Sequence, residues 1–144
     1  MTMPAGKYYI GDLCYVLHDE WDEVCELMFE DEENSDGEFT LKDGRRFATY
    51  STKYGDGGYY DNYGRVYSVD AGVIGCVLVD DIDLTNKSNN VDGGNIVEFS
   101  DAFETSGGRL TSNDWDGIIK IGHVEVNTDP VYDQYESDEY YDEE

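Results

Sequence analysis

The most apolar stretch of the chain, residues 72–79, places the strongest constraint on the fold. It reads Gly-Val-Ile-Gly-Cys-Val-Leu-Val and contains no charged side chain. A run of this length without polar alternation is typical of a strand buried on both faces of a sheet. The run is far too short to cross a bilayer as a helix. The sequence therefore predicts a central, two-sided strand.

Shorter β patterns on both sides of this run predict further strands. Two hairpins are expected, with turns at residues 42–44 and 61–64, because Asp-Gly and Asn-containing turns separate alternating segments there. In the last segment the apolar parity slips at Gly122, which predicts a β-bulge. A polar loop is expected over residues 83–94. The predicted strands are residues 7–10, 13–17, 38–41, 45–52, 59–60, 65–69, 72–79, 95–99 and 118–126.

One segment has helical rather than β periodicity. Its apolar residues recur at i, i+3, i+4 and i+7, and they are Trp21, Val24, Cys25 and Met28. Asp19 is the predicted N-cap, and four consecutive acids at residues 30–33 should end the helix. The predicted fold class is α+β, a mainly antiparallel sheet in meander order or a small barrel with one packed acidic helix.

The charge of the chain is large and unevenly distributed. Its 144 residues carry 34 Asp and Glu against nine Lys and Arg, a formal net charge of −25. Residues 19–38 hold 11 of the acids and residues 129–144 hold eight, whereas residues 42–65 have a local net charge of +2 and can pair with the acidic region. We therefore expect one domain over residues 1–128 and a disordered, acidic, Tyr-rich tail over residues 129–144.

This balance excludes several classes of protein. Direct nucleic-acid binding needs Lys and Arg for the phosphates, and a polybasic membrane anchor needs them too.

The odd number of cysteines (Cys14, Cys25 and Cys76) without paired spacing predicts reduced thiols. With no signal-peptide pattern at the N-terminus, a cytoplasmic protein is expected. No phosphate-binding loop, dinucleotide fingerprint or zinc spacing is present, so no cofactor is predicted.

The acidic segment can be compared with a nucleic acid. Twenty helical residues span about 30 Å, so eleven carboxylates correspond to about one per 2.7 Å. Duplex DNA carries one charge per about 3.4 Å of each strand. The segment therefore predicts a DNA-imitating surface, with a purely solubilising face as the alternative. The predicted partner-binding residues are Glu20, Asp22, Glu23, Glu26, Glu30, Asp31, Glu32 and Glu33, joined in the tail by Asp133, Glu136, Asp138 and Glu139.

Carboxylates on glycine-rich turns provide a second candidate site. Asp12, Asp56 and Asp70 each lie next to glycine or one residue from it, and glycine allows a ligand to approach the backbone closely. The alternative is that these residues only close turns by bonding their own backbone. The oxygen-rich segments at residues 81–85 and 114–117 do not continue into a calcium loop. A Cys–His nucleophile pair has no support from spacing, so no catalytic residue is predicted.

Three motifs carry a resemblance to a known group of proteins. They are Gly11-Asp12-Leu13-Cys14-Tyr15-Val16, Tyr54-Gly55-Asp56-Gly57 and Val69-Asp70-Ala71-Gly72-x-Ile74-Gly75. Together, over about residues 7–79, they resemble a family of small phage and prophage proteins without an assigned activity, in which Pro commonly stands in the place of Leu13. The resemblance implies a viral accessory origin and interference with host machinery.

The acidic composition is similar to that of DNA-mimic anti-restriction and anti-CRISPR proteins, a similarity that transfers no residue. The expected function is therefore a phage-encoded inhibitor of a host DNA-binding protein, such as a restriction, CRISPR or recombination factor. The alternative is a small-ligand or divalent-metal-binding module that uses the glycine-rich turns, with an enzyme as the least favoured reading. The sequence leaves the target and the oligomeric state open.

Overall fold

The computed structural model of the chain describes residues 2–29, 36–53, 56–107 and 117–128. Over these residues the chain forms eleven strands in two antiparallel sheets, one α-helix and two 3₁₀ helices. The α+β class is confirmed, and two separate sheets replace the single sheet or small barrel that was expected. The predicted tail lies outside the described residues, as does the expected end of the helix at residues 30–33.

The elements have the following bounds. The strands are β1 Thr2–Met3, β2 Gly6–Gly11, β3 Gly37–Thr40, β4 Arg46–Ser51, β5 Gly57–Asp61, β6 Val66–Val69, β7 Val73–Leu78, β8 Asn95–Phe99, β9 Phe103–Ser106, β10 Ile118–Ile121 and β11 Val124–Asn127. The α-helix, α1, spans Trp21–Phe29, and the 3₁₀ helices span Leu13–Tyr15 and Val79–Asp81. One sheet has the order β1-β9-β10-β11-β5-β6 and the other the order β3-β4-β7-β2-β8.

The five-stranded sheet forms the middle of three layers. In its central strand, β7, Ile74 and Cys76 join the core between the two sheets, whereas Val73 and Val77 join a second core beneath α1. The predicted two-sided burial of this strand is therefore confirmed. The six-stranded sheet covers one face of the middle layer and α1 covers the other, so the helix layer and the outer sheet lie on opposite sides of the molecule.

The helix packs through most of its predicted apolar stripe. Val24 and Met28 are buried in the second core, and Trp21 packs against it. Cys25 is half-buried, and Leu27 also packs against this core. The stripe therefore docks α1 on the sheet, and the carboxylates on the remaining surface are held on a fixed element. No helix among the described residues is long and apolar enough to cross a membrane.

The predicted N-cap of α1 is wrong by one residue. The backbone N–H of Val24 donates to the carbonyl of Glu20 at 2.9 Å, so the helical bonds begin from Glu20. The Asp19 carboxylate instead accepts from Nδ2 of Asn86 at 2.9 Å. Because this partner lies in the loop after β7, sequence spacing alone gave no sign of it.

The segment 13–17, predicted as a strand, begins with a 3₁₀ helix. Asp12 causes the change, because its Oδ1 accepts the backbone N–H of Cys14 at 3.0 Å and so caps the turn. An aspartate followed by three residues of a helical turn is a common N-cap arrangement. The signal was present in the sequence, but the apolar run from Leu13 to Leu17 concealed it.

The last predicted strand is a hairpin. Residues 118–126 divide into β10 and β11, which are joined by Gly122 and His123. Gly122 has a φ of +60°, and a Cβ at this position would lie 2.5 Å from the Phe99 ring. The parity slip at Gly122 therefore marks a tight turn and not a bulge. The sequence pattern did not distinguish the two, because a glycine with positive φ fits either conformation.

The strand order departs from a simple meander. The hairpins β3–β4 and β5–β6 are confirmed, and β9, β10 and β11 also follow one another. In contrast, β2 pairs with the distant strands β7 and β8. Two strands were not predicted, β1 and β9, and they pair with each other through Thr2 with Glu104 and Met3 with Phe103. Such short strands have too few residues to display a period.

Candidate acidic interface

The helix layer carries a surface of exposed carboxylates, which we call the acidic face. Its members come from the approach to α1, from α1 itself, from the β3–β4 turn and from the segment after β7. They are Asp19, Asp22, Glu26, Asp43, Asp80 and Asp83. Because α1 is docked on the middle sheet, its two members Asp22 and Glu26 are held on a packed element, and the other four lie in the segments beside it.

Arg45 joins three segments of the helix layer, namely the approach to α1, the β3–β4 hairpin and the segment after β7. Its guanidinium lies 2.7 Å from Glu20 before the helix and 2.7 Å from Asp43 in its own hairpin. Its Nη1 also donates to the carbonyl of Asp81 at 2.9 Å. Only 21% of the Arg45 side chain is exposed, so this cation holds the three segments together and presents little positive charge to solvent.

The charged groups around Arg45 shift one another's pKa values. The hydrogen bond from Arg45 lowers the pKa of Asp43, and the same bond raises the pKa of Arg45. Burial raises the pKa of Asp81, and the charges of Asp43 and Asp80 raise it further against the opposing effect of Arg45. Repulsion between carboxylates of this kind is the cost of concentrating negative charge on one face.

Four of the predicted partner-binding residues around the helix lie within the described residues, and they divide into two pairs. Asp22 and Glu26 are exposed. Glu20 instead faces Arg45 with 20% of its side chain exposed, and its Oε1 is buried without a hydrogen bond. Glu23 accepts the backbone N–H of Lys42 at 2.7 Å and so joins α1 to the β3–β4 turn. The remaining predicted residues lie outside the described residues, namely Glu30, Asp31, Glu32, Glu33, Asp133, Glu136, Asp138 and Glu139.

The arginines of residues 42–65 do not form a basic surface. Arg45 pairs with Glu20 of the acidic segment, as the charge distribution predicts. Arg46 pairs with Glu38 in the adjacent strand, and Arg65 pairs with Asp61 at 2.8 Å. The positive charge of this region is therefore used mainly within the chain.

The second candidate site has a structural role at its centre. Asp12 is fully buried, and its Oδ2 accepts the backbone N–H groups of Asp70 at 2.7 Å and Ala71 at 2.6 Å. Its other carboxylate oxygen caps the first 3₁₀ helix through Cys14. Asp12 therefore binds backbone N–H groups of this chain and joins two of the three motifs that carry the phage-family resemblance.

Asp56 and Asp70 are exposed, and both act on the same thiol. Burial raises the pKa of Cys14, the neighbouring Asp12 raises it further, and the charges of Asp70 and Asp56 add to the effect. The motifs of Asp12 and Asp70 are joined beside Cys14 through the Asp12 carboxylate. The raised pKa keeps Cys14 a neutral thiol and a poor nucleophile. No cluster of three His, Cys, Asp or Glu side chains within the described ranges could hold a metal ion.

The outer face of the six-stranded sheet carries a feature that the sequence analysis did not identify. Tyr60 and Val66 are 61% and 52% exposed, and they are paired across β5 and β6. Asn127 lies beside Tyr60, and Ile118 lies beside Asn127, so the four residues form one row across four strands. The adjacent tyrosines 59 and 60 were a usable signal, because alternation along a strand turns one of two neighbouring rings outward.

Comparison of the chain with protein-family models, curated proteins and solved structures finds no match.

Proposed function

We propose that the chain is a non-enzymatic inhibitor that occupies the basic DNA-binding surface of a host protein and acts as a DNA mimic. The observation that supports this proposal is the acidic face, in which exposed Asp22 and Glu26 project from the docked helix α1 and four further exposed carboxylates lie in the segments beside it. The resemblance to phage accessory proteins adds a viral origin and a cytoplasmic place of action in the host cell to the proposal.

Preorganisation of the carboxylates would strengthen binding to a basic cleft. Carboxylates on a flexible chain would lose conformational entropy when they bind, and this loss would weaken the complex. Here Val24 and Met28 anchor the helix, and Arg45 fixes the neighbouring turns. A basic cleft that normally releases counterions on binding DNA would gain in the same way from this surface.

The first test reverses charge at the two exposed helix residues. The double variant Asp22→Lys/Glu26→Lys should bind the target about 30-fold to 700-fold more weakly, which corresponds to about 2 to 4 kcal/mol for two reversed charges in an interface. The measurement is elution of bacterial DNA-binding proteins from DNA-cellulose by the purified chain. The unaltered chain should release a defined protein, and it should release less as the salt concentration rises.

Two control variants separate the position of charge from its amount. Glu98→Lys/Asp101→Lys makes the same change in net charge at the exposed end of β8 and should elute the target like the unaltered chain. Glu20→Gln should also elute it, because Glu20 faces Arg45. If polyglutamate of equal total charge releases the same proteins, or if both double variants lose activity equally, the mimic proposal is wrong.

The second candidate function is a small-ligand or metal-binding module, and it is favoured by the contact between the Asp12 and Asp70 motifs beside Cys14. It would use the exposed Asp56 and Asp70, because Asp12 is occupied by backbone N–H groups. The double variant Asp56→Asn/Asp70→Asn separates the two functions. Loss of target elution in a folded double variant would favour the ligand site over the acidic face.

A further inference from the structure

Exposed apolar side chains are concentrated on one hairpin. Of the five large hydrophobic residues that are most exposed among the described residues, Tyr60, Tyr63 and Val66 all belong to β5, β6 or the turn between them. The row through Tyr60 and Val66 continues across the outer sheet to Ile118. We call this surface the neutral face, and it lies on the opposite side of the molecule from the acidic face.

The charges on the neutral face are balanced. Lys120 lies opposite Glu125 in the register of β10 and β11. Arg65 pairs with Asp61 at 2.8 Å, and its guanidinium carbon lies 5.0 Å from the centre of the Tyr63 ring. In a chain with a formal net charge of −25, the charged residues of β5, β6, β10, β11 and the β5–β6 turn therefore carry no net negative charge.

The neutral face is also rigid. Asn62 joins the two hairpins, because its backbone N–H donates to the carbonyl of Glu125 at 2.9 Å and its Oδ1 accepts the N–H of Glu125 at 2.9 Å. Its Nδ2 donates to the carbonyl of His123 at 3.0 Å. A partner would therefore meet a surface that is already ordered, and little entropy would be lost on this side.

We infer that the neutral face is the site at which a second copy of this chain binds, in a two-fold symmetric dimer. The charge distribution favours a second copy over a partner with a basic surface. A partner with a basic surface would be attracted to the acidic face, whereas a second acidic chain would be repelled by the acidic face and would meet balanced charge at the neutral face. In a two-fold arrangement the same patch meets itself, so the Lys120 of each copy can approach the Glu125 of the other.

A dimer formed through the neutral faces would keep the two acidic faces far apart. Packed layers lie about 10 Å apart, so each acidic face lies about 20 Å from the neutral face of its own copy. Two copies joined at their neutral faces would hold their acidic faces about 50 Å apart, several times the Debye length of about 8 Å at physiological salt. The two acidic faces then add little repulsion to the apolar contact.

The contact surface indicates a weak dimer. A cavity of about 200 Å³ beside Tyr60, lined also by Ile118 and Asn127, provides a recess for a side chain of the second copy. Four strands at about 4.8 Å spacing give a patch about 15 to 20 Å wide, which is at the small end of specific interfaces. We expect a dissociation constant of about 10 to 100 μM.

The test is sedimentation equilibrium of the full chain between about 1 μM and about 1 mM. The mass should rise from 16.3 kDa towards twice that value, and added salt should strengthen the association because it screens the remaining repulsion. Binding through the acidic face has the opposite dependence on salt, so failure of one proposal is distinguishable from failure of the other. A mass that stays at the monomer value up to about 1 mM overturns the inference.

Matched variants locate the interface. Tyr60→Thr/Val66→Thr keeps residues that favour strands and should shift the dissociation constant at least about 10-fold upward. Leu84→Thr is the control, because Leu84 is as exposed as Val66, at 52%, but lies near the acidic face. If the double variant unfolds, concentration-dependent NMR shifts of the unaltered chain replace it. Dimerisation that survives the double variant, or shifts outside β5, β6, β10 and β11, overturns the inference.

Discussion

Replacing Asp12 by alanine is expected to lower the free energy of unfolding by about 4 kcal/mol. The carboxylate is fully buried and accepts backbone N–H groups from Cys14, Asp70 and Ala71. Alanine would leave these three partly buried donors without their acceptor. A domain of this size has only about 5 to 15 kcal/mol of stability in total. Urea denaturation monitored by tryptophan fluorescence measures the loss.

Asparagine should be almost as damaging as alanine at this position, at about 3 kcal/mol. One end of its side chain is an N–H₂ group, which cannot accept the donors that both carboxylate oxygens now serve. Asp70→Asn is the matched control, because the Asp70 side chain is exposed while its backbone N–H remains bound to Asp12. The control should change stability by less than about 0.5 kcal/mol. If Asp12→Asn is as stable as the control, the structural role of Asp12 is wrong.

The second large effect is expected at Asp61, where Asp61→Asn should cost about 3 kcal/mol at neutral pH. The Asp61 side chain is fully buried, and its Oδ1 accepts the backbone N–H groups of Tyr63 at 2.8 Å and Arg65 at 3.0 Å. Its Oδ2 accepts from Nε of Arg65 at 2.8 Å and from the Tyr67 hydroxyl at 2.6 Å. The amide would leave Arg65 without its partner.

This effect should depend on pH. Burial by itself raises the pKa of Asp61, but hydrogen bonds from Tyr67, Arg65 and Tyr63 outweigh it, so the pKa lies below its usual value of 3.8. The folded chain therefore binds this proton less tightly than the unfolded chain. The contribution is complete above the unfolded pKa of about 3.9 and is lost as the pH falls through the lower folded pKa.

The stability difference between the unaltered chain and Asp61→Asn should consequently shrink as the pH falls from about 5 towards 2. Other carboxylates with lowered pKa values, such as Asp43 and Asp83, are common to both proteins and cancel in this difference. Tyr67→Phe is the control, since it removes one donor and should cost about 1 kcal/mol. A difference in the free energy of unfolding between the unaltered chain and Asp61→Asn that stays constant with pH contradicts the lowered pKa of Asp61.

A variant that unfolds the chain cannot test either proposed function. Asp12 belongs to one of the three motifs that resemble the phage family, yet a variant at this position would lose function by unfolding. Asp56 and Asp70 report on a ligand site without that difficulty because both side chains are exposed. In the same way, Glu20 belongs to the acidic segment but reports on stability, whereas Asp22 and Glu26 report on binding.

Local patterns in the sequence were sufficient for the elements whose stability comes from near neighbours. The Asp-Gly turn predicted the β3–β4 hairpin, and the apolar run predicted β7 as a strand buried on both faces. The stripe through Trp21, Val24 and Met28 predicted the face by which α1 packs. In each case the pattern and its burial involve residues a few positions apart, so the period of the element is enough.

Contacts between remote residues were decided only by the tertiary structure. Asp12 caps a 3₁₀ helix and binds N–H groups of residues 70 and 71, which are separated from it by the whole of β3 to β6. Glu20 turns inward because Arg45 reaches it from the β3–β4 hairpin. The opposition of an acidic face and a neutral face arises in the same way. Composition determined how much charge the chain carries, but layer packing decided which carboxylates remain in solvent, because burial and pairing depend on neighbours that sequence spacing does not specify.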